Sequence, residues 1–177
     1  MTEQGSLGRR GFSVRQARTA DVRGIHALVE PLVQERILLG KELVVFFESV
    51  QEFSVAVDDE TGAVVGCGAL HVLWEDLGEV RTLAVHERWR GTGVGHAIYE
   101  RLEQQARELG LRRLFCLTFE TEFFGRHGFA SIGEELLVDP EVYSELVRSP
   151  DEGVAEFLDL SRVKPNTLGN SRLLKEL

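Results

Sequence analysis

The chain is poor in several residue types. Its 177 residues include two cysteines, four prolines and one methionine. Cys67 and Cys116 are too few for a disulfide framework, and neither stands in a CxxC or Cys/His spacing. Both fall in apolar runs and read as reduced core residues, which suits a cytoplasmic location. No run approaches the roughly 18 apolar residues of a membrane span, so no membrane partner is expected. Met1 to Gly11 is polar and Gly-rich; with no apolar stretch after Arg9-Arg10, it reads as a frayed start and not an export signal. An excess of basic charge is missing too. Lys and Arg number 20 against 29 Asp and Glu, a net charge of −9. With no long basic run, nucleic acid is an unexpected partner. The five histidines (His26, His71, His86, His96 and His127) form no HxxxH or His/carboxylate signature, so no metal is expected.

What is present is ordinary globular composition, 43% hydrophobic and 28% charged. That length and balance predict one domain over residues 12–177, after a flexible stretch of 1–11. The pattern is mixed α/β. Strands are expected at 12–18, 53–57, 63–73, 79–86, 113–118, 129–132 and 154–160. A first helix follows Thr19, carried by Val22, Ile25, Leu28, Val29, Leu32 and Val33, with Pro31 expected to bend or end it. Further helices are expected at 42–51, from Val94 to Leu109 with Gly110 as its stop, at 121–127, and at 140–148 with Pro140 in its first turn. The tail from Val163 is polar with a Leu-rich end. Leu173, Leu174 and Leu177 could cover a neighbouring copy, as in a homodimer, or the chain's own sheet.

The most informative segment runs from Glu79 through Val85 into Arg90-Gly91-Thr92-Gly93-Val94-Gly95. A strand ends, a Gly-rich turn follows, and a helix begins. The first N–H groups of a helix lack partners and carry the positive end of its dipole, which makes an anion site. Glycine lets a phosphate approach the backbone, and Arg90 adds a cation. The segment is not a P-loop, having no Gly-Lys-Ser/Thr, and lacks the GxGxxG order of a dinucleotide fingerprint. Read from residues alone, it is either an anion cradle or a structural turn.

With those residues in place, the sequence resembles a known family. Arg90-x-x-Gly93-x-Gly95 after Leu83-Ala84-Val85 resembles the acetyl-CoA motif of the GNAT N-acetyltransferases, and Glu122 to Phe129 is similar to their second cofactor motif. The likeness covers roughly residues 12–138 and implies a GNAT fold. In that fold a mixed sheet is flanked by helices, and its central strands splay around acetyl-CoA. A narrower likeness rests on Ile37-Leu38-Leu39, Leu77-Gly78-Glu79, Leu114 to Thr118 and Asn170 to Leu174. These resemble the acetyltransferase domain of N-acetylglutamate synthases, which acetylate L-glutamate in the first step of arginine biosynthesis. Long members carry an amino-acid-kinase-like domain, and this chain looks like a stand-alone short form without one.

The resemblance implies roles. Acetyl-CoA would be held by Leu83, Ala84, Val85, Arg90, Gly91, Thr92, Gly93, Val94 and Gly95, with Phe124 of the Phe123-Phe124 pair as a wall for the pantetheine arm, unless that pair is simply core. Glu79 would be the base, unless it is a strand-end Glu in a surface ion pair. A carboxylate in that role needs burial or a relay water. A backbone N–H near Leu83 would donate to the oxyanion. Many GNAT enzymes use a tyrosine acid, but Tyr99 and Tyr143 do not fit its place. Thr118 stands there, as a hydroxyl donor or only as a β-branched strand residue. Two carboxylates on the acceptor call for cationic clamps. Arg81 shares the face of Glu79 at i+2 and can bind bidentately, with Thr82 beside it. Lys41, or Gly40 in the alternative register, and Ser171, Arg172 and Lys164 complete the expected set. Each of these cations could equally be a solvated surface charge. His96 and His127 either border the cofactor phosphates or serve ordinary helix and loop roles.

The expected activity is therefore acetyl transfer to the α-amino group of L-glutamate. Rivals are the same transfer to another small amine and a non-catalytic acyl-CoA-sensing module. Intact Glu79 and an intact glycine loop speak against the module. The net negative charge speaks against an acidic acceptor, and local cations must overcome it within a screening distance of about 8 Å.

Overall fold

The computed structural model describes residues 11–133, 135, 137–160 and 169–177. Residues 1–10 and Lys164 lie outside the described residues. The observed order is β1 (Phe12–Gln16), α1 (Val22–Gln34), α2 (Leu43–Glu48), β2 (Phe53–Asp58), β3 (Val64–Trp74), β4 (Leu77–Val85), α3 (Val94–Glu108), β5 (Arg113–Thr118), α4 (Thr121–Arg126), β6 (Ala130–Ser131), α5 (Pro140–Leu146), α6 (Glu152–Phe157) and β7 (Ser171–Glu176). The strands form one mixed sheet in the order β1-β2-β3-β4-β5-β7-β6. Among the described residues only β4 and β5 run parallel, joined through α3. This is the mixed α/β architecture expected from the sequence.

Strand alternation divides the core. Ala56, Leu70, Val80, Leu114 and Cys116 turn to one face and pack against Val94, Ile98, Tyr99, Leu102 and Ala106 of α3. Val55, Cys67, Ala69 and Ala84 turn to the other and meet Val22, Ile25 and Val29 of α1. Further along, Leu73, Leu77 and Phe115 meet Leu146 of α5 with Val154 and Phe157 of α6. Both cysteines are free and buried, and desolvation pushes the Cys67 thiol up to about 12.

Two expectations need correction. Residues 154–160 are not a strand. The Asp151 carboxylate accepts from the Val154 N–H (3.1 Å) and caps α6, which places Val154 and Phe157 on one buried face. A short apolar run does not distinguish a strand from a buried helix. The last strand is β7, which inserts between β5 and β6. The apolar tail thus covers its own sheet, with Leu173 3% exposed. In addition, α1 continues through Pro31 to Gln34, so the proline forfeits one late hydrogen bond without ending the helix.

The terminal strand is tied to α3 by charge. Lys175 Nζ donates to Glu103 Oε2 (2.6 Å), as does the Tyr99 hydroxyl (2.5 Å), and Arg107 donates to Oε1 (2.8 Å). Burial opposes the Glu103 charge, but these donors outweigh it and hold the carboxyl at about 2. A carboxyl depressed in the folded state stabilises the fold above its ordinary value of 4.5 and loses that contribution as pH falls toward about 2. Glu103→Gln is therefore expected to lower the urea midpoint at neutral pH, with a gap to the wild type that begins to narrow below about pH 4.5 and closes only as the pH falls to about 2. A gap that is constant with pH would contradict it.

Candidate active site

The site begins where β4 leaves β5. Their ladder runs only from Leu77 opposite Arg113 to Glu79 opposite Phe115. Beyond Glu79 the two strands part. A bulge adds to the divergence: on β3, Cys67 faces Ala84 and Ala69 faces Arg81, so Thr82 and Leu83 together stand opposite Gly68. Thr82 takes a φ of +56°, rare for a β-branched residue and worth about 1–3 kcal/mol of local strain. Such strain gathers at functional sites. The bulge also resets the alternation, so that Glu79, Arg81 and Ala84 share one face.

A pocket of about 680 Å³ opens on that face. Glu79 lines it and is 5% exposed. Arg81 Nη2 meets Glu79 Oε2 at 2.7 Å and Asp151 Oδ1 at 3.0 Å, while Nη1 reaches Asp151 Oδ2 at 3.1 Å. His71, opposite Glu79 in the β3–β4 register, holds Glu52 Oε1 at 2.7 Å through Nδ1 and approaches Asp151 Oδ2 at 3.5 Å through Nε2. A line of polar contacts thus runs Glu52, His71, Asp151, Arg81, Glu79. Burial raises the Glu79 carboxyl above the usual carboxylate range, and Arg81 pulls against that rise. Burial works against Asp151 too, but the hydrogen bonds and charge of Arg81 prevail and its carboxyl is lowered. Lys41 stands at the pocket rim, accessible to solvent yet crowded by the wall; partial desolvation and then Arg81 lower its ammonium pKa.

Some predicted residues meet here and others do not. Glu79, Arg81, Thr82, Gly40 and Lys41 line the pocket together. Thr118 and Ser171 face each other across β5 and β7 outside its lining, and the Thr118 hydroxyl accepts from the Glu120 N–H (2.9 Å). Arg172 is committed elsewhere. Its Nε donates to the Glu156 carbonyl (2.9 Å), Nη1 to that of Gly133 (3.1 Å) and Nη2 to that of Phe157. Phe124 is 4% exposed, edge-on to Tyr99 and Phe129 in the core. It is Phe123 that approaches Gly95, a Cβ there lying 3.6 Å from its ring. His127 stacks on His96, and burial followed by the His96 charge lowers its pKa. Sequence reasoning missed His71, Asp151, Gly153 and Glu156.

The glycine loop takes the form an anion cradle needs. Gly91 and Gly93 have φ of +73° and +92°, and Gly93 caps the N-terminus of the 15-residue α3. The Thr92 hydroxyl donates to the Trp89 carbonyl (2.5 Å) and fixes the turn. The first N–H groups of α3 then face outward near the parted end of β4.

Residues 27–129 match the model of the acetyltransferase (GNAT) family. The amino-acid acetyltransferase of Mycobacterium tuberculosis is 61% identical over 162 residues, covering 91% of this chain and 92% of that protein. A Pseudomonas putida protein of the same name is 36% identical over 126 residues, 70% of this chain but 29% of its own length. Among solved structures, Rv2747 from M. tuberculosis, in complex with CoA and NLQ, superimposes with a TM-score of 0.88 at 60% identity, covering 93% of this chain and 99% of that one. The N-acetylglutamate synthase of Neisseria gonorrhoeae with coenzyme A and N-acetyl-glutamate gives 0.74 at 28% identity, covering 94% of this chain and 35% of that one. The chain belongs to the GNAT acetyltransferase family and is an N-acetyltransferase.

Gly153 tests the geometry. A Cβ there would lie 2.1 Å from Glu79 Oε2 and 3.0 Å from Arg81 Nη2. Ala improves helix propensity by about 1 kcal/mol, but overpacking costs about 1–3 kcal/mol. Gly153→Ala is expected to lower the melting temperature by several degrees, at about 2–4 °C per kcal/mol. A variant that melts at or above the wild type would show that α6 does not press on Glu79.

Proposed function

We propose that the protein transfers the acetyl group of acetyl-CoA to the α-amino group of an amino acid, with L-glutamate as the first choice of acceptor and N-acetylglutamate synthesis for arginine as its setting. The observation that carries this reading is the buried Glu79 carboxylate at the point where β4 and β5 part, inside a pocket large enough for an amino acid. The kinship with amino-acid acetyltransferases supports it.

In this reading residues 12–177 act as one acetyltransferase domain. Arg90 to Gly95 and the N-terminus of α3 bind the CoA phosphates, and the edge of Leu83 to Val85 takes the pantetheine arm. Glu79 receives a proton from the acceptor ammonium. The freed amine attacks the thioester carbonyl in a ternary complex, a backbone N–H near Leu83 donates to the oxyanion, and CoA leaves as the thiolate. A thiol near pKa 8.5 needs little assistance as a leaving group, so Thr118 serves at most as a hydrogen-bond donor. Arg81 keeps Glu79 ionised and oriented, and Lys41 is the cation closest in role to an acceptor clamp.

One observation favours a second reading, the same transfer to another small amino acid. Carboxylates outnumber cations seven to two in the pocket lining, Arg81 is occupied by Glu79 and Asp151, and Arg172 is occupied by backbone carbonyls. A second acceptor carboxylate thus meets little free positive charge.

Thiol release from acetyl-CoA, screened against the twenty amino acids, decides between them. L-glutamate is expected to drive release well above the rest, and Glu79→Gln to suppress it by about tenfold or more. Faster release with an amino acid of neutral side chain, still dependent on Glu79, would move the assignment to the second reading. Release indifferent to Glu79→Gln would remove the base.

A further inference from the structure

Glu156 is the buried acid of this pocket that the steps above leave without a task. It lies on α6, is 6% exposed, and its Oε1 has no hydrogen-bond partner among the described residues. Native proteins leave few buried polar atoms unpaired, so each one calls for an explanation. Gly153, three residues earlier, shares its face of the helix. That face is turned to Glu79, since a Cβ on Gly153 would almost touch its carboxylate at 2.1 Å. Both carboxyls line the same cavity. Arg172 meets the backbone carbonyl of Glu156 (2.9 Å), not its carboxyl.

The proton balance of the reaction calls for such a group. The acceptor nitrogen enters as an ammonium and ends as an amide, so it loses two protons. The first leaves before attack and frees the lone pair. The C–N bond then forms, the carbonyl electrons move to oxygen, and on collapse the C–S bond breaks with its electron pair going to sulfur. The second proton leaves nitrogen as the amide forms. One of the two can end on the thiolate and the other in solvent, but each must first be accepted near the nitrogen.

We propose that Glu156 is the second proton acceptor of the acetyl transfer: Glu79 takes the proton lost before attack, and the Glu156 carboxylate takes the proton lost after it. This rests on the reading of the pocket as an acetyl-transfer site. The charges that face Glu156 fit the role. Glu79 and Arg81 face it from β4, and Asp151 and Glu152 from the start of its own helix. Lys41, His71, Glu42, Glu48 and Glu52 stand across the cavity. Burial first, then the negative charges of Glu79 and Glu152, raise its carboxyl to about 7, where a base works well at neutral pH.

The test is the pH dependence of kcat for thiol release, from about pH 5.5 to about 9, with acetyl-CoA and whichever of the twenty amino acids drives release fastest. The wild-type kcat is expected to rise with pH through a limb near 7. Glu156→Gln is expected to lose about tenfold or more in kcat, to lose that limb, and to keep both KM values within about threefold. Glu156→Asp should recover part of the rate together with a limb. A purely structural role would not remove the limb. A wild-type profile flat through 7, or a Glu156→Gln enzyme with the wild-type limb and a kcat within about threefold, overturns the proposal. If Glu156→Gln does not fold, Glu156→Asp decides: a lowered kcat with a displaced limb supports the role, and the wild-type limb with a kcat within about threefold overturns it. If no amino acid drives release from the wild type, the amino-acid acceptor reading falls and this role falls with it; release by the wild type with the limb unchanged in Glu156→Gln overturns this role alone and leaves that reading standing.

Discussion

Everything at the site depends on the Arg81 guanidinium. It joins Glu79 on its own strand to Asp151 at the start of α6, at 2.7 Å and 3.0 Å. Two carboxylates and one cation in a buried place are tolerable only while all three are present. Removing one partner of such a group costs far more than the group contributes, because the charge left behind is uncompensated. Arg81 is also what brings α6 over the pocket. Asp151 both receives the guanidinium and caps the helix through the Val154 N–H, so one side chain fixes the position and the start of α6. Gly153 then allows the helix to press against Glu79, and Glu156 follows one turn later.

The sheet supplies the other half of the arrangement. A parallel pair that stays together past Glu79 would leave the edge of β4 buried against β5. Instead the ladder stops at Glu79, and the bulge at Thr82 and Leu83 turns β4 away. The carboxylate and the open strand edge thus arise from one event in the chain, and the glycine loop delivers the N-terminus of α3 to the same end of the strand. A base, an extended thioester arm and an anion cradle are three requirements of acetyl transfer, and in the proposed reading residues 79–95 answer all three in sequence order. Asp151, Gly153 and Glu156 add a wall to the cavity that Glu79 lines.

Much of this was legible in the sequence, for physical reasons that differ by element. β5 falls on 113–118 as read, and α3 starts at Val94 as read, because glycine and periodicity mark their ends strongly. Glu79 was legible through the family resemblance, and Arg81 because strand alternation places i and i+2 together. His71 was within reach as well, since the tight turn after Trp74 folds β3 back on β4 and sets His71 opposite Glu79. Asp151 was not, because it meets Arg81 across 70 positions and no local pattern encodes that distance. Residues 154–160 misled because the run is too short for its i, i+3, i+4 spacing of Val154, Phe157 and Leu158 to stand out, and the cap that decides for helix is a single carboxylate. Arg172 misled differently. A cation near a site reads as a clamp until the structure shows three carbonyls already around it.

The central claim is that Arg81 holds the reacting carboxylate in place while the α3 loop binds the thioester independently. Arg81→Lys keeps the charge and removes the planar fork. Its kcat and its Kd for acetyl-CoA, measured on the same folded preparation, separate the two parts. The account predicts a kcat lower by about tenfold or more with Kd unchanged within about threefold. A weakened Kd with kcat intact would contradict it, and would place Arg81 in the binding of acetyl-CoA instead of in the positioning of Glu79.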